Sequence, residues 1–238
     1  MDPLRRTALL GGWFYLATFV TSIPALLMKS PVMDHTDFVL GVGSTNSVQW
    51  ASVLDVLLAI ACVGTAVVLY PVTRRHNPTL GLGFVTSRLA EGAIIIVGVM
   101  SLLSIVTLRT DAATGDTSSL LAAGQALTAL HQWSFLLGPG LMAGINALLL
   151  GTLMYRSRLV PRLIPAMGLI GAPLLIGSTF ATILGAWSQT SSIAGIATVP
   201  VALWELSFGL WLVIKGFDAR ADAAADVTTS TPGVATAT

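Results

Sequence analysis

The clearest indication of the fold class is Leu80–Leu108, which reads LGLGFVTSRLAEGAIIIVGVMSLLSIVTL. These 29 residues carry only two charges, Arg88 and Glu91. A helix of about 20 predominantly apolar residues is long enough to cross a bilayer. The whole chain has the same character, because its 238 residues are 54% hydrophobic and 10% charged, with a mean hydropathy of +0.83. A soluble domain carries about 25% charged residues, so the composition indicates an integral membrane protein.

Five further spans follow from the same criterion. Four are simple apolar segments: Thr7–Met28, Val48–Tyr70, Leu163–Trp187 and Ile193–Ile214. The remaining apolar stretch, Ser118–Tyr155, would extend about 57 Å as one helix, against a hydrocarbon core of about 30 Å. We therefore place the fourth span at 130–155, with an amphipathic lead-in helix at 118–129 outside it. Pro139 should kink this span because it lacks an N–H group.

The sequence thus predicts an all-α bundle of six transmembrane helices over residues 1–217. After Phe217 the chain is rich in Ala, Asp and Thr, which predicts a disordered tail at 218–238. Basic residues alternate strictly between the predicted loops and indicate that both termini are cytoplasmic. One side has only Lys29 and Arg109, and the other has nine: Arg5, Arg6, Arg74, Arg75, Arg156, Arg158, Arg162, Lys215 and Arg220. The net charge of +1 gives no reason to expect a nucleic-acid partner.

Four ionisable residues, Asp55, Arg88, Glu91 and Glu205, fall inside the predicted spans. A charge at the bilayer centre costs about 2.5–3.5 kcal/mol on insertion scales, so such groups face a partner, a cavity or a substrate. Counting from the span ends places Arg88, Glu91 and Glu205 at one depth. Two carboxylates against one guanidinium would be costly in a low dielectric, so we expect one carboxyl to carry a proton. Glu205, Glu91 and Asp55 are therefore the candidate acid/base catalysts.

Other polar residues could complete a binding site around these acids. Asp55 and His131 both lie in the outer half and could form a carboxylate–imidazole pair, while Gln132 and Asn146 could extend the polar lining. Trp204 precedes Glu205 and could face a cation. The alternative interpretation is that the charges only tie helices together, since polar contacts between membrane helices average about 0.6 kcal/mol.

The sequence shows no familiar motif for a metal or a cofactor. No span carries a local ligand pair such as His-x-x-x-His, although His131, Asp55, Glu91 and Glu205 leave a metal site open as a minor alternative. The chain also has no Gly-x-Ser-x-Gly nucleophile elbow and no glycine-rich phosphate loop followed by Lys. We therefore predict neither a bound metal nor a cofactor.

Several short motifs, taken together, resemble one family over about Arg6 to Phe217. In chain order they are Arg6-Thr7-Ala8 with Gly12 and Tyr15, Asp55, Leu69-Tyr70, Arg88 with Glu91, His131 with Phe135-Leu136-Leu137-Gly138, Leu150-Gly151, Tyr155-Arg156-Ser157, Pro161, Gly168, Glu205-Leu206, Leu210-Trp211-Leu212 and Lys215-Gly216. The pattern resembles the domain of unknown function 4386 family of small polytopic bacterial membrane proteins. Pro139 and Gly140 depart from the family pattern in the fourth span. The resemblance implies six helices in a bacterial plasma membrane and implies no activity.

Three functional hypotheses remain open on the sequence. The first is a polar intramembrane cavity that binds a lipophilic small molecule or transforms it by acid/base chemistry, as an isomerase or cyclase does. The second is a proton-coupled transporter or exporter. Six helices are few for this role, so it implies a homodimer. The sequence lacks the internal repeat that is usual in such transporters. The third is a structural or regulatory membrane subunit.

Overall fold

The computed structural model describes residues 2–111 and 116–223, which form eight α-helices and a short helical segment at 219–223. Their bounds are α1 Pro3–Met28, α2 Ser30–Asp34, α3 Thr45–His76, α4 Pro78–Asp111, α5 Thr117–Phe135, α6 Ala143–Ser157, α7 Leu163–Ile183 and α8 Ser192–Ile214. A 3₁₀ turn occupies Phe38–Leu40 and a π-helical segment occupies Leu136–Met142. Lys215 directly follows α8 as its C-cap residue.

Six helices in the described part are long and apolar enough to span a membrane, which confirms the predicted fold class. They are α1, α3, α4, the continuous helix Thr117–Ser157, α7 and α8. All of them except α7 extend beyond the predicted segments. Helix α1 begins at Pro3, α3 ends at His76 and α4 begins at Pro78. The fifth span, α7, ends at Ile183, four residues before the predicted end at Trp187.

The fourth span differs most from the sequence prediction. The helix begins at Thr117 and passes the predicted boundary at Leu130 without a break, because no proline lies between the two. Its N-cap is Asp116, which accepts hydrogen bonds from the Ser118 hydroxyl and from the Ser119 amide (3.0 Å). These hydrogen bonds, chiefly the one from the Ser118 hydroxyl, hold the pKa of the Asp116 carboxyl below its usual range.

Pro139 is accommodated in the π-helical segment Leu136–Met142. A proline in an α-helix removes one backbone hydrogen bond and clashes with the preceding turn. The wider π turn has room for the ring, and π segments inside α-helices occur frequently at functional sites. The segment also changes the rotation of α6 relative to α5, because each π turn contains more residues than an α turn.

The spans close into a ring in which each helix packs on its neighbours. Helix α1 packs on α3 and α8, α3 on α4, α4 on the α5–α6 helix, α6 on α7, and α7 on α8. Glycines permit the closest approaches. A Cβ atom at Gly12 would lie 2.8 Å from the Gly209 carbonyl oxygen, and one at Gly171 would lie 2.9 Å from the Val201 amide nitrogen. Small residues commonly mark such helix contacts in membrane proteins.

One end of the ring, here called the basic end, joins the N-terminus, the α3–α4 turn, the α6–α7 loop and the segment after α8. Arg5 donates to the carbonyls of Leu212 (2.9 Å) and Val213 (2.6 Å) at the end of α8. The Asp218 amide donates to the Leu159 carbonyl at 2.9 Å. These contacts hold the chain termini of the bundle against each other.

The predicted disordered tail begins too early at 218. Residues 219–223 are helical, and the buried Asp222 carboxylate lies 3.5 Å from Arg75 Nη1 and 3.4 Å from His76 Nε2. Composition alone missed this segment because its order depends on contacts with the α3–α4 turn. The rest of that prediction, 224–238, lies outside the described residues.

Candidate functional site

The middle of the ring contains a buried charge cluster centred on Arg88 of α4. Only 1% of Arg88 is exposed. Its Nη1 atom donates to Glu91 Oε2 at 2.9 Å, and its Nη2 atom donates to Glu205 Oε1 of α8 at 2.6 Å. One guanidinium therefore bridges two carboxylates from two different helices. We call Arg88, Glu91, Glu205, Asn146 and Tyr15 the inner cluster.

Local helix geometry positions the two residues from α4. Arg88 and Glu91 are three residues apart and therefore lie on the same helix face. Asn146 of α6 donates from Nδ2 to the same Glu91 Oε2 atom, at 2.6 Å. The Arg88 guanidinium also lies 4.9 Å from the centre of the Tyr15 ring of α1, within the range of a cation–π interaction. The cluster thus connects α1, α4, α6 and α8.

Glu205 is the more exposed of the two carboxylates, and it lines a cavity together with Arg88 and Glu91. Its side chain is 14% exposed, whereas Arg88 and Glu91 are enclosed. The cavity has a volume of about 120 Å³ and is lined mainly by apolar and hydroxyl side chains from α1, α3, α7, α8 and the π segment. Besides Arg88, Glu91 and Glu205, its walls include Thr18, Phe19, Leu175, Thr198, Val201 and Ala202. We call it the inner cavity.

Two buried polar atoms of the inner cluster have no hydrogen-bond partner among the described residues. They are Nε of Arg88 and Oδ1 of Asn146. An unpaired buried polar atom costs about 1–3 kcal/mol, so proteins usually leave few of them. Of these two residues, Arg88 lines the inner cavity and Asn146 does not.

A second charged site lies closer to the other end of the ring. Lys29 follows α1, and its Nζ atom lies 2.6 Å from Asp55 Oδ2 of α3, with both side chains buried. Lys29 lies in the turn between α1 and α2, as the sequence indicated, but Asp55 pairs with Lys29 and not with His131. The Nδ1 atom of His131 instead lies 3.0 Å from the Gly98 carbonyl oxygen. A carbonyl only accepts hydrogen bonds, so Nδ1 carries a proton.

Lys29, Asp55 and His131 line one further cavity, which we call the outer cavity. Its volume is about 180 Å³, and its other walls are Ser22, Ile23, Leu26, Leu58, Ile95, Gly98, Ser134, Phe135 and Pro139. Three wall residues, Ser22, Leu58 and Pro139, also line the inner cavity. The two cavities are therefore neighbours, and the π segment contributes Pro139 to both.

Two residues predicted for the site lie elsewhere. Gln132 is exposed on α5, because it lies on the helix face that points away from the ring interior. Trp204 is buried against Gly168 and stacks on Phe208 with ring centres 4.8 Å apart. The aromatic ring that faces the Arg88 guanidinium is that of Tyr15. The centre of the Phe84 ring lies 5.9 Å from the same guanidinium.

Sequence analysis missed Lys29 and Tyr15 as members of these sites. Lys29 directly follows an apolar span, so its position resembled an ordinary loop charge. Tyr15 was part of the family pattern, but one tyrosine in an apolar helix is common and the pattern implied no role for it. Within residues 2–111 and 116–223, no group of three or more His, Cys, Asp or Glu side chains is placed to hold a metal ion.

The sequence of the chain matches a known protein family. The sequence profile described as "Domain of unknown function (DUF4386)" matches residues 10–216. The chain belongs to this family. All residues of the inner cluster, from Tyr15 to Glu205, and the Lys29–Asp55 pair lie inside the matched DUF4386 region. No curated protein and no solved structure matches the chain significantly.

Proposed function

We propose that this DUF4386 protein binds an amphiphilic small molecule in the inner cavity, with Glu205 as the residue that contacts its polar group. The observation that supports this proposal is the position of Glu205. Its carboxyl contacts Arg88 at 2.6 Å and also faces an apolar-lined cavity inside the membrane ring. Ligand sites are typically apolar with a few well-placed polar groups.

The charge of the inner cluster defines the chemistry of this ligand. Two carboxyls and one guanidinium leave one negative charge to be neutralised, either by a proton or by a basic group on the ligand. A protonated Glu205 could donate its proton to a carbon–carbon double bond of a lipophilic substrate. If the Glu205 carboxylate then takes a proton from the carbon next to the cation, the net reaction is an isomerisation of the double bond, with no other reactant. If the cation first adds to a second double bond of the same substrate and then loses the proton to Glu205, the net reaction is a cyclisation.

The test is to identify what copurifies with the full-length protein. Wild-type protein and three variants are purified from host membranes in the same detergent, and bound compounds are extracted for mass spectrometry. Glu205→Gln removes the acid, Ala202→Leu fills the cavity, and Gly195→Leu is the control, since a Cβ at Gly195 contacts nothing within 4 Å. We expect compounds that are retained by wild type and the control and lost from the other two variants.

The same set of compounds in all four samples would contradict the proposal. If Glu205→Gln and Ala202→Leu only lower the melting temperature and no compound distinguishes wild type, the buried charges act as helix ties. The chain would then be a structural or regulatory subunit.

Proton-coupled transport is a second candidate, supported by the shared walls of the two cavities. Ser22, Leu58 and Pro139 separate the Lys29–Asp55 pair from the inner cluster. A change in the π segment around Pro139 would connect the two charged sites. In liposomes loaded with soluble host extract and a pH dye, an imposed pH gradient should drive proton flux through wild type. This flux should be lost in Asp55→Asn and in Glu205→Gln. Crosslinking in the same liposomes should give the homodimer that this role implies; absence of proton flux would remove this candidate.

We also propose that the membrane is the bacterial plasma membrane and that the basic end faces the cytoplasm. The nine basic residues of the basic end support this orientation through the positive-inside rule. Cys62 is buried and is the single cysteine of the chain, so new cysteines can report on sidedness. In intact cells, a membrane-impermeant maleimide should label Gly185→Cys and should leave Ser157→Cys unlabelled until the cells are opened. Labelling in the reverse order would contradict this orientation.

A further inference from the structure

We infer that the basic end carries a binding site for the headgroup of an anionic phospholipid, formed by Arg158, Arg162 and Lys215. These side chains line an open cavity of about 530 Å³ between the α6–α7 loop and the end of α8. The remaining walls are Leu159, Val160, Pro161, Trp211, Gly216, Phe217 and Asp218. This cavity is separate from the inner and outer cavities and shares no wall residue with them.

The charge of the cavity favours an anion. Three cationic side chains line it against one carboxylate, that of Asp218. Asp218 is already engaged, because its Oδ1 atom accepts from the Arg220 amide at 2.8 Å. Among the described residues, none of the three cations forms an ion pair. A phosphodiester is therefore well matched to this cavity.

The backbone and one aromatic ring orient two of the arginines. Arg158 ends α6 in the left-handed conformation, with φ of 58°, and its amide donates to the Met154 carbonyl at 3.1 Å. Gly or Asn normally occupies such a position, so an arginine here is unusual. The Arg162 guanidinium lies 5.0 Å from the centre of the Tyr155 ring. The helix end fixes the backbone of Arg158, the Tyr155 ring limits the movement of Arg162, and both residues line the cavity.

The position of the cavity indicates a lipid rather than free phosphate. It lies where α7 begins and α8 ends, which is the level of the headgroups for membrane-spanning helices. Leu163 is 76% exposed and Ile214 is 65% exposed, and both adjoin cavity residues in sequence. Trp211 lines the cavity, and tryptophan is enriched at the membrane interface. Acyl chains would thus contact apolar helix surface while the phosphate contacts the three cations.

The test measures lipid binding to the full-length protein in detergent by native mass spectrometry. The separate probes are dioctanoyl phosphatidylglycerol, dioctanoyl phosphatidylcholine and inorganic phosphate. The test variant combines Arg158→Asn, Arg162→Gln and Lys215→Gln, and Asn at position 158 suits the left-handed backbone. The control variant combines Arg6→Gln, Arg74→Gln and Arg156→Gln, which removes the same charge from the basic end at exposed positions that do not line the cavity.

Each basic residue near an anionic lipid contributes about fivefold in affinity. We therefore expect the test variant to bind phosphatidylglycerol at least about tenfold more weakly than wild type, and the control to stay within about threefold. Wild type should prefer phosphatidylglycerol to phosphatidylcholine. If the triple variant does not fold, Arg162→Gln with Lys215→Gln, both at exposed side chains, should still weaken binding by about fivefold or more.

Three outcomes would overturn the inference. Equal binding of the two lipids would show that charge does not select the ligand. An equal loss in the control variant would show a diffuse effect of the whole basic end. Binding of inorganic phosphate as tightly as phosphatidylglycerol would assign the cavity to a free anion.

Discussion

At the scale of single residues, the inner cluster is stable because a charge in the membrane interior is surrounded by groups that compensate it. Arg88 has a carboxylate on each of its two terminal nitrogens and an aromatic face 4.9 Å from its guanidinium. Breaking a buried ion pair by removing one partner typically costs about 3–5 kcal/mol, because the remaining charge is left uncompensated. The members of the cluster should therefore respond very differently to substitution.

The first prediction concerns Arg88 and its two carboxylates. Arg88→Met leaves two buried carboxyls without a cation, so we expect a loss of about 3–5 kcal/mol. Glu205→Gln leaves the Arg88–Glu91 pair balanced, and the glutamine oxygen still accepts a hydrogen bond. Its loss of unfolding free energy should therefore be a small fraction of the loss in Arg88→Met. Equilibrium unfolding in mixed detergent micelles measures the free energy of unfolding of both variants. Adding Glu91→Gln and Glu205→Gln to Arg88→Met should restore stability, and failure of this rescue would contradict the charge argument.

The second prediction concerns Lys29 and Asp55, whose side chains are 4% and 6% exposed. A double-mutant cycle with Lys29→Met and Asp55→Asn should give a coupling energy of about 0.5–3 kcal/mol. The matched control is the cycle for Arg75→Gln and Asp222→Asn, because the Arg75 side chain is 48% exposed. Exposed pairs contribute about 0–1 kcal/mol. Equal coupling in the two cycles would mean that burial of the Lys29–Asp55 pair is irrelevant to its strength.

At the scale of helices, small residues decide how closely neighbouring spans approach. Helix α7 packs on α8 through Gly168, where an added Cβ would lie 2.7 Å from the Trp204 ring, and through Gly171. Gly177 of the same helix has no atom within 4 Å of an added Cβ. The helix therefore has one face that requires glycine and one that tolerates a larger residue.

The third prediction compares Gly171→Ala with Gly177→Ala. At Gly171 the new methyl group would lie 2.9 Å from a backbone nitrogen of α8, which cannot move alone, so the helices must separate and the melting temperature should fall. At Gly177 alanine should leave stability unchanged or raise it by up to about 1 kcal/mol, because glycine has the lower helix propensity. Thermal unfolding in detergent measures both variants. Equal effects would indicate that the α7–α8 contact is not close-packed.

At the scale of the whole molecule, the ring is closed where α1 meets α8. Gly12 and Gly209 bring the two helices together, and Arg5 donates to the last carbonyls of α8. These carbonyls have no partner within their own helix, and a cation near them is favourable to the helix dipole. The first and last spans are thus fastened at the basic end, on the same side as the Asp222 contacts with Arg75 and His76.

The fourth prediction tests this closure with two adjacent arginines. Arg5→Gln removes a charged donor to three carbonyls, those of Leu212, Val213 and Ile214, and should cost about 1.5–3 kcal/mol. Arg6→Gln removes the same charge from an exposed side chain and should change stability by less than about 0.5 kcal/mol. Unfolding in detergent, together with protease cleavage near the N-terminus, measures both. Equal stability of the two variants would show that Arg5 does not hold the ends of the ring together.

The six spans could be predicted from the sequence because hydropathy is a local property that each helix carries by itself. The depth of Arg88, Glu91 and Glu205 could be counted along the chain for the same reason. The partner of Asp55 could not be found this way, because Lys29 lies at a helix end and its long side chain reaches back into the bundle. The order of residues 219–223 was missed because it depends on Arg75 and His76 in a distant turn.

The sequence by itself determined that this chain crosses a membrane six times with charged groups at defined depths. The tertiary structure alone decided which groups meet, because that depends on the rotation of each helix about its axis and on the neighbours it packs against. Gln132 shows this dependence, since it has the right depth and faces outward, whereas Asn146 lies beyond the π segment and contacts Glu91. Rotation and packing are set by contacts between distant parts of the chain, and composition and spacing do not encode them locally.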